Sequence, residues 1–237
     1  MSETKVWDDP RVRRGMQRQL ELRRARLAAG DKSLGWKVGF GAPAMLKAAR
    51  HCRAAHRLPH TERARAIRRQ RVAQGLGEAG GGAGDRRAYR PRCARGADRA
   101  AAAAAIAGIS PAIELVDVHT PPQGPEFILG ENIYQRHVVL GGSGPHRAGA
   151  SANGLTCRVM RHGKEFARTT DPQANTGQWI EIVRHVADVL AAFDATLRAG
   201  EIIITGSVVP PLTLEPAEAG IAFEVDPIGG VAVRFEY

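Results

Sequence analysis

The sequence predicts an α+β fold, with a mixed, mostly antiparallel β-sheet rolled into a barrel-like core and a few peripheral helices. Two observations predict it. Strand-like segments dominate the C-terminal half, where apolar residues alternate or run in short blocks between turn residues. The helical patterns are few and amphipathic, as expected of helices packed outside a sheet. The 237 residues are read as a single domain with a sizeable core, and no repeat of about 20–50 residues is visible.

Residues 9–29, DPRVRRGMQRQLELRRARLAA, place Val12, Met16, Leu20 and Leu27 near helical spacing, with Pro10 at the start and Gly30 at the end as punctuation. SLGWKVGF (33–40) reads as a short strand between glycines. ADRAAAAAAIAGI (97–109) is a helix and PAIELVD (111–117) a strand. PPQGPEFILGENIYQ leads through a loop into a short helix, and HVVLGG (137–142) is the next strand. GLTCRVMRHGKEFARTT reads as a hairpin that turns at His162-Gly163-Lys164, with Leu155, Cys157 and Val159 alternating before the turn. The clearest helix spans 177–200, carrying Ile180, Val183, Val186, Val189, Leu190 and Phe193 and stopping at Gly200. EIIITGSVV, GIAFEVDP and GGVAVRFEY close the chain as strands, the last two joined by a Pro-Ile-Gly-Gly turn.

Charge is distributed unevenly. The net charge is +10, yet residues 50–95 hold 13 Arg against 3 acidic residues, leaving 21 basic and 21 acidic residues elsewhere. The body is neutral, and one segment supplies the excess. An Arg-rich window raises nucleic-acid binding, but this one has only Tyr89 for base stacking and no helical basic stripe. The N-terminus, MSETKVWDDPRVRRGM, lacks the apolar region of a signal peptide, and no apolar run reaches membrane-span length. Cys52, Cys93 and Cys157 show neither metal-ligand spacing nor a disulfide framework, so they read as plain thiols of a reducing cytoplasm.

Three residues stand out chemically. Glu114, in Ala-Ile-Glu-Leu-Val, shares a strand face with Ala112 and Val116. A carboxylate pointing with apolar groups is paired, protonated or metal-bound, unless that face is simply exposed. Lys37 is the one charge in Gly-Trp-Lys-Val-Gly. It suits a carboxylate anchor or tunable base, and equally a lysine snorkelling from a strand edge. Ser207, in Ile-Thr-Gly-Ser-Val, sits at a strand end where ligand-facing hydroxyls occur, although turn serines occur there too. No G-x-S-x-G, P-loop, H-E-x-x-H or paired C-x-x-C is present.

GWKVGFGAPAM (35–45), SPAIELVDVHT (110–120), NIYQRHVVLG (132–141) and EIIITGSVVPPL (201–212) together resemble the 2-keto-4-pentenoate hydratase branch of the fumarylacetoacetate hydrolase superfamily. This branch includes 2-oxohepta-3-ene-1,7-dioate hydratase-like enzymes. The resemblance covers residues 1–48 and 96–237. It implies a homo-oligomeric enzyme of aromatic catabolism that hydrates a small 2-hydroxy-2,4-dienoate or 2-oxo-alkenoate with Mg²⁺ or Mn²⁺. Decarboxylases of 4-oxalocrotonate and C–C hydrolases of acylpyruvates share the scaffold. Glu114 matches the third metal ligand, Lys37 the pocket lysine, and Ser207 is taken as a substrate contact. A hard cation with oxygen ligands and open positions suits chelation of a 2-oxo acid.

The resemblance also requires a Glu-x-Glu pair about 30 residues before Glu114, which falls in GEAGGGAG, where Glu78 stands alone. Reading the codons of Glu78–Arg86 one base forward permits Lys-Pro-Val-Ala-Glu-Pro-Glu-Ile, the missing strand. The same shift lets Arg50–Thr61 read Gly-Thr-Ala-Gly-Pro-Leu-Ile-Gly-Phe-Leu-Thr, and Arg90–Ala94 read Gly-Arg-Asp-Val-Pro. Residues 49–95 are therefore read as an out-of-frame translation between two compensating shifts. The alternatives are a genuine basic insert or a diverged, non-catalytic homologue. One Glu cannot hold Mg²⁺ against water, and an Arg- and Gly-rich window cannot fill a core. The expectation is a chain that folds poorly and is inactive as written.

Overall fold

The computed structural model describes residues 5–38, 93–117, 124–142 and 147–236. Glu78 and the anomalous window, apart from Cys93, Ala94 and Arg95, lie outside the described residues.

Helix α1 (Pro10–Ala28) starts where the punctuation places it: the Asp9 carboxylate accepts from Arg11 N–H at 2.8 Å, and proline opens the first turn. Strand β1 (Gly35–Lys37) follows, then α2 (Arg99–Ala105), capped by the Asp98 side chain. Strand β2 (Ala112–Val116), helix α3 (Pro125–Gly130) and β3 (Gln135–Leu140) come next. The hairpin is β4 (Thr156–Arg161) and β5 (Lys164–Thr169). His162 and Gly163 both have positive φ, 52° and 72°, as a two-residue turn matching strand twist requires. A single turn α4 (Gln173–Thr176) leads into α5 (Trp179–Ala191), and β6 (Ile202–Ile204), β7 (Gly220–Asp226) and β8 (Gly229–Arg234) end the chain.

The fold is α+β and mostly antiparallel. Among the described residues the strands form three sheets rather than a closed barrel: β5-β4-β7-β8 antiparallel, β2-β3 antiparallel and β1-β6 parallel. Helix α5 covers the four-stranded sheet. Its buried residues Trp179, Ile182, Val183, Val186, Ala187 and Leu190 recur at helical spacing. They meet Cys157 and Val225 of the sheet and Leu155 just before it, with Ala102 of α2 and Cys93. Burial raises the Cys157 thiol to about 11 and pushes the Cys93 thiol up as well, so both are inert packing groups.

Several elements are shorter than the sequence pattern implies: α2 spans only Arg99–Ala105 of the helix read over 97–109, and α5 and β6 are also cut short. Helix α5 stops at Ala191, not Gly200, because Asp194 adopts φ 55°. The Asp194 N–H then donates to Ala191 O and the Ala195 N–H to Leu190 O, closing the end before the apolar pattern runs out. Strand β6 covers only Ile202–Ile204, since residues 205–219 run without regular structure.

Helix α1 packs across α3 at Gly15, where a Cβ would lie 2.8 Å from both Glu126 O and Leu129 Cβ. Only Gly15 and Met16 of α1 are buried, and Leu27, expected on its apolar face, is exposed. The C-terminal half of α1 faces a cleft instead of the core.

Candidate active site

Strand β1 is the base of the site. Gly35 has φ 147°, and a Cβ there would lie 2.0 Å from Ile202 O, so only glycine lets β6 approach this closely. The parallel register sets Trp36 opposite Ile203 and Lys37 opposite Ile204. Trp36 and Ile203 pack against the core, while Lys37, one residue on, takes the opposite face.

Lys37 and Glu114 come together from elements 77 residues apart. The Lys37 ammonium donates to Glu114 Oε1 and, at 3.3 Å, to the Ile133 carbonyl. The Lys37 side chain is only 10% exposed and that of Glu114 22%. Burial pulls the lysine below its usual pKa, and the hydrogen bond and charge of Glu114 partly oppose this. The arrangement is a half-dry ammonium–carboxylate pair, not a lysine snorkelling to water.

The Ile133 carbonyl is presented by an unusual turn. Asn132, Ile133 and Tyr134 all have φ between 51° and 59°. Left-handed geometry costs roughly 1–2 kcal/mol for each such residue, and most for a β-branched one. Bonds around the turn offset it: Tyr134 N–H to Glu131 O at 3.0 Å and Asp117 N–H to Tyr134 O at 3.0 Å. The turn also aligns an amide chain in which Gln19 Nε2 donates to Asn132 Oδ1 and Asn132 Nδ2 to Gln135 Oε1, both at 2.8 Å.

These groups line a cleft of about 240 Å³. Lys37, Ile202 and Ile204 lie along the β1–β6 ribbon, Asn132, Gln135 and Val138 form one wall, and Gln19, Leu22, Arg23, Arg26 and Leu27 of α1 form the other. Arg23 stacks over the Trp36 ring at 4.6 Å and donates from Nη2 to Ser33 Oγ at 2.8 Å. Glu201, 9% exposed, accepts from Trp36 Nε1 at 2.9 Å and from the Arg198 N–H at 2.8 Å, tying β1 to the start of β6.

Ser207 stands apart from this cleft. Its hydroxyl donates to Val209 O, and its carbonyl accepts from Asn175 Nδ2 at 2.6 Å. Among the described residues no three His, Cys, Asp or Glu side chains converge on a point that could hold an ion. Glu114 is the one expected ligand present, and Lys37 holds it. These residues do not fit an Mg²⁺ or Mn²⁺ centre, which needs several oxygen donors.

Gln19 and Arg23 carry no sequence signal, and Asn132, Gln135 and Glu201, although inside the stretches that carry the resemblance, read as ordinary polar residues until distant segments meet. The Gln19–Asn132 contact spans 113 positions.

The fold is similar to solved structures of 4-oxalocrotonate decarboxylase from Pseudomonas putida G7. In the complex with calcium and acetate the TM-score is 0.67 at 17% identity, covering 92% of this chain and 83% of that chain. In the complex with magnesium and adipate it is 0.65 at 16% identity, with the same coverage. No family model and no curated protein matches the sequence. At this identity the likeness is one of fold.

Proposed function

We propose that this chain carries the scaffold of a divalent-metal-dependent lyase, hydratase-like, acting on a small 2-hydroxy-2,4-dienoate or 2-oxo-alkenoate. The half-buried Lys37–Glu114 pair carries this reading, because Lys37 lines the cleft as a carboxylate anchor and holds the expected metal ligand. Resemblance at residues 35–45, 110–120, 132–141 and 201–212 and the fold of the similar solved structures support it. The metal strand is assigned to the corrected frame of residues 49–95, which also completes the barrel-like sheet. The chain as written lacks that centre and is without metal-dependent turnover.

Within this chain, Lys37 holds the substrate carboxylate through an N–H not taken by Glu114 or Ile133. Its lowered pKa brings it nearer the range in which an amine moves protons at neutral pH. Ser207 is proposed as a substrate contact on the strength of the resemblance, although its hydroxyl is bonded to Val209 O outside this cleft. The protein is proposed to be a cytoplasmic homo-oligomer. Its excess positive charge is assigned to the misread window, so the frame-restored chain is expected to show no salt-sensitive retention of DNA or RNA.

A second reading, decarboxylation of 4-oxalocrotonate, is favoured by the activity named for the similar solved structures. One experiment separates these readings. The gene is resequenced, and the chain as written and its frame-restored form are assayed with Mg²⁺ for dienoate hydration, 4-oxalocrotonate decarboxylation and acylpyruvate hydrolysis. Hydration by the restored chain alone supports the proposal. Equal turnover by the chain as written, or an intact frame without a Glu-Pro-Glu reading, overturns it.

A further inference from the structure

Three consecutive left-handed residues, one of them β-branched, are a costly way to build a turn, and such strain persists only where the surroundings hold it. Along Asn132, Ile133 and Tyr134 φ is 51°, 53° and 59°. The product of the turn is the Ile133 carbonyl, which accepts from Lys37 Nζ at 3.3 Å. An ammonium carries three N–H donors in a tetrahedral array. With one given to Glu114 Oε1 and one to Ile133 O, the direction of the third is fixed. The turn therefore aims the lysine.

Part of what holds the turn comes from α1. Arg14 and Arg18, and Gly15 and Gln19, pair at i, i+4 spacing on the side of α1 that runs along residues 126–132. Arg14 Nη2 lies 2.7 Å from Glu126 Oε2, Gly15 packs on Glu126 and Leu129, and Arg18 Nη2 lies 3.2 Å from Glu131 Oε1. The two ion pairs are exposed, so salt screens them, and they locate the helix without fixing the turn. Gln19 ends the row. Its Nε2 donates to Asn132 Oδ1 at 2.8 Å in a half-buried contact, and Asn132 Nδ2 donates in turn to Gln135 Oε1 at 2.8 Å.

We propose that Gln19 is a positioning residue: by holding Asn132 it keeps the Ile133 carbonyl against Lys37, and so aims the remaining N–H of the lysine into the cleft. Gln19 acts through the turn and needs no contact with a ligand. The consequence for turnover rests on the lyase reading, in which Lys37 is the substrate anchor; the link from α1 to Lys37 does not.

The test uses a feature of the sequence. Ile-Tyr occurs once, at residues 133–134, so the full chain labelled with carbonyl-¹³C isoleucine and ¹⁵N tyrosine gives one coupled NMR signal, that of the Ile133 carbonyl. Lys37→Met removes the donor and should displace this signal. The same K37M displacement is then measured in a Gln19→Leu background, which keeps bulk at position 19, and in an Asn132→Gly background, which cuts the same link while allowing left-handed φ. In both backgrounds most of the displacement should be lost, since residues without a shared partner act independently. A K37M displacement of undiminished size in folded Q19L overturns the proposal, and N132G decides where Q19L does not fold. No displacement by K37M in the wild-type chain also overturns it. In the frame-restored chain with Mg²⁺, Q19L should raise KM about 10-fold, the worth of one charge-assisted hydrogen bond. Its kcat should hold, because a carboxylate anchor binds substrate and transition state alike. A lower kcat at unchanged KM, the mark of lost folded protein, counts against the proposal. The NMR coupling without turnover in the restored chain would sink the lyase reading and leave the role of Gln19 standing; turnover without the coupling would do the reverse.

Discussion

Two ion pairs, Arg161–Glu218 and Lys37–Glu114, sit in regions of different closure. Arg161 and Glu218 join the hairpin tip to the 210–219 loop: Nε and Nη2 of Arg161 grip both carboxylate oxygens at 2.8 and 2.6 Å, with side chains 9% and 0% exposed. Around them β4, β7 and β8 each send buried side chains inward, and α5 closes the layer. Lys37 and Glu114 join β1 to β2, where no residue of β1, β2, β3 or β6 is fully buried. A two-stranded ribbon covers only one of its faces well. The half-open face of β1–β6 is therefore free to line a cleft. Buried side chains are concentrated in the C-terminal layer, while the β1–β6 ribbon lines the cleft.

Restoring the frame of residues 49–95 should have the largest effect on this contrast. It should raise Mg²⁺-dependent turnover roughly 100-fold or more, the scale of several kcal/mol of metal stabilisation, as measured by steady-state assay.

Glu218→Gln comes next. It leaves Arg161 with only the exposed Glu215 carboxylate, 3.3 Å from its Nη2, as counter-charge and should cost about 3 kcal/mol in urea unfolding. Burial alone would raise the Glu218 carboxyl, but the Arg161 hydrogen bonds and the Glu215 N–H outweigh it and hold the group below its ordinary value. A carboxyl depressed on folding contributes its stability above the unfolded pKa, about 4.5, and loses it as pH falls through the folded value. The wild-type chain should therefore lose stability below about pH 4.5, and E218Q should lose less. By contrast Lys37→Met should cost about 1 kcal/mol or less, since the partly exposed Glu114 can turn to water. Equal costs for the two variants would erase the distinction between the regions.

Leu190→Ala, at 2% exposure on α5, should cost about 2–5 kcal/mol. Ile202→Ala in the half-buried ribbon should cost less than half as much in the same denaturant titration. Gly15→Ala forces a methyl against Glu126 O and should lose about 1–3 kcal/mol, seen as a lower unfolding midpoint. Asp9→Ala removes the α1 cap and should cost about 1 kcal/mol, again by denaturant titration.

Much of the chain was legible because its signals are local. Asp9-Pro10 and Gly30 bracket α1, His162-Gly163 marks the hairpin, and Leu155, Cys157 and Val159 alternate inward as their spacing predicts. On α5 the expected Val183, Val186 and Leu190 are buried and Ile180 packs against the core, while Trp179, Ile182 and Ala187 widen the buried face beyond the expected set. The end of α5 was overrun because an Asp in left-handed geometry, not a glycine, closes it.

The sequence by itself determined where the long helices lie, the hairpin, the neutrality of the body and the candidacy of Lys37 and Glu114. Tertiary structure alone decided that Gly35 lies under Ile202, that Lys37 meets Glu114 and the Ile133 carbonyl, and that Leu22, Leu27 and Leu34 face a cleft. The physical reason is range. Caps, turns and periodicity act within a few residues, whereas a site is made by groups whose proximity exists only after distant segments have closed on one another.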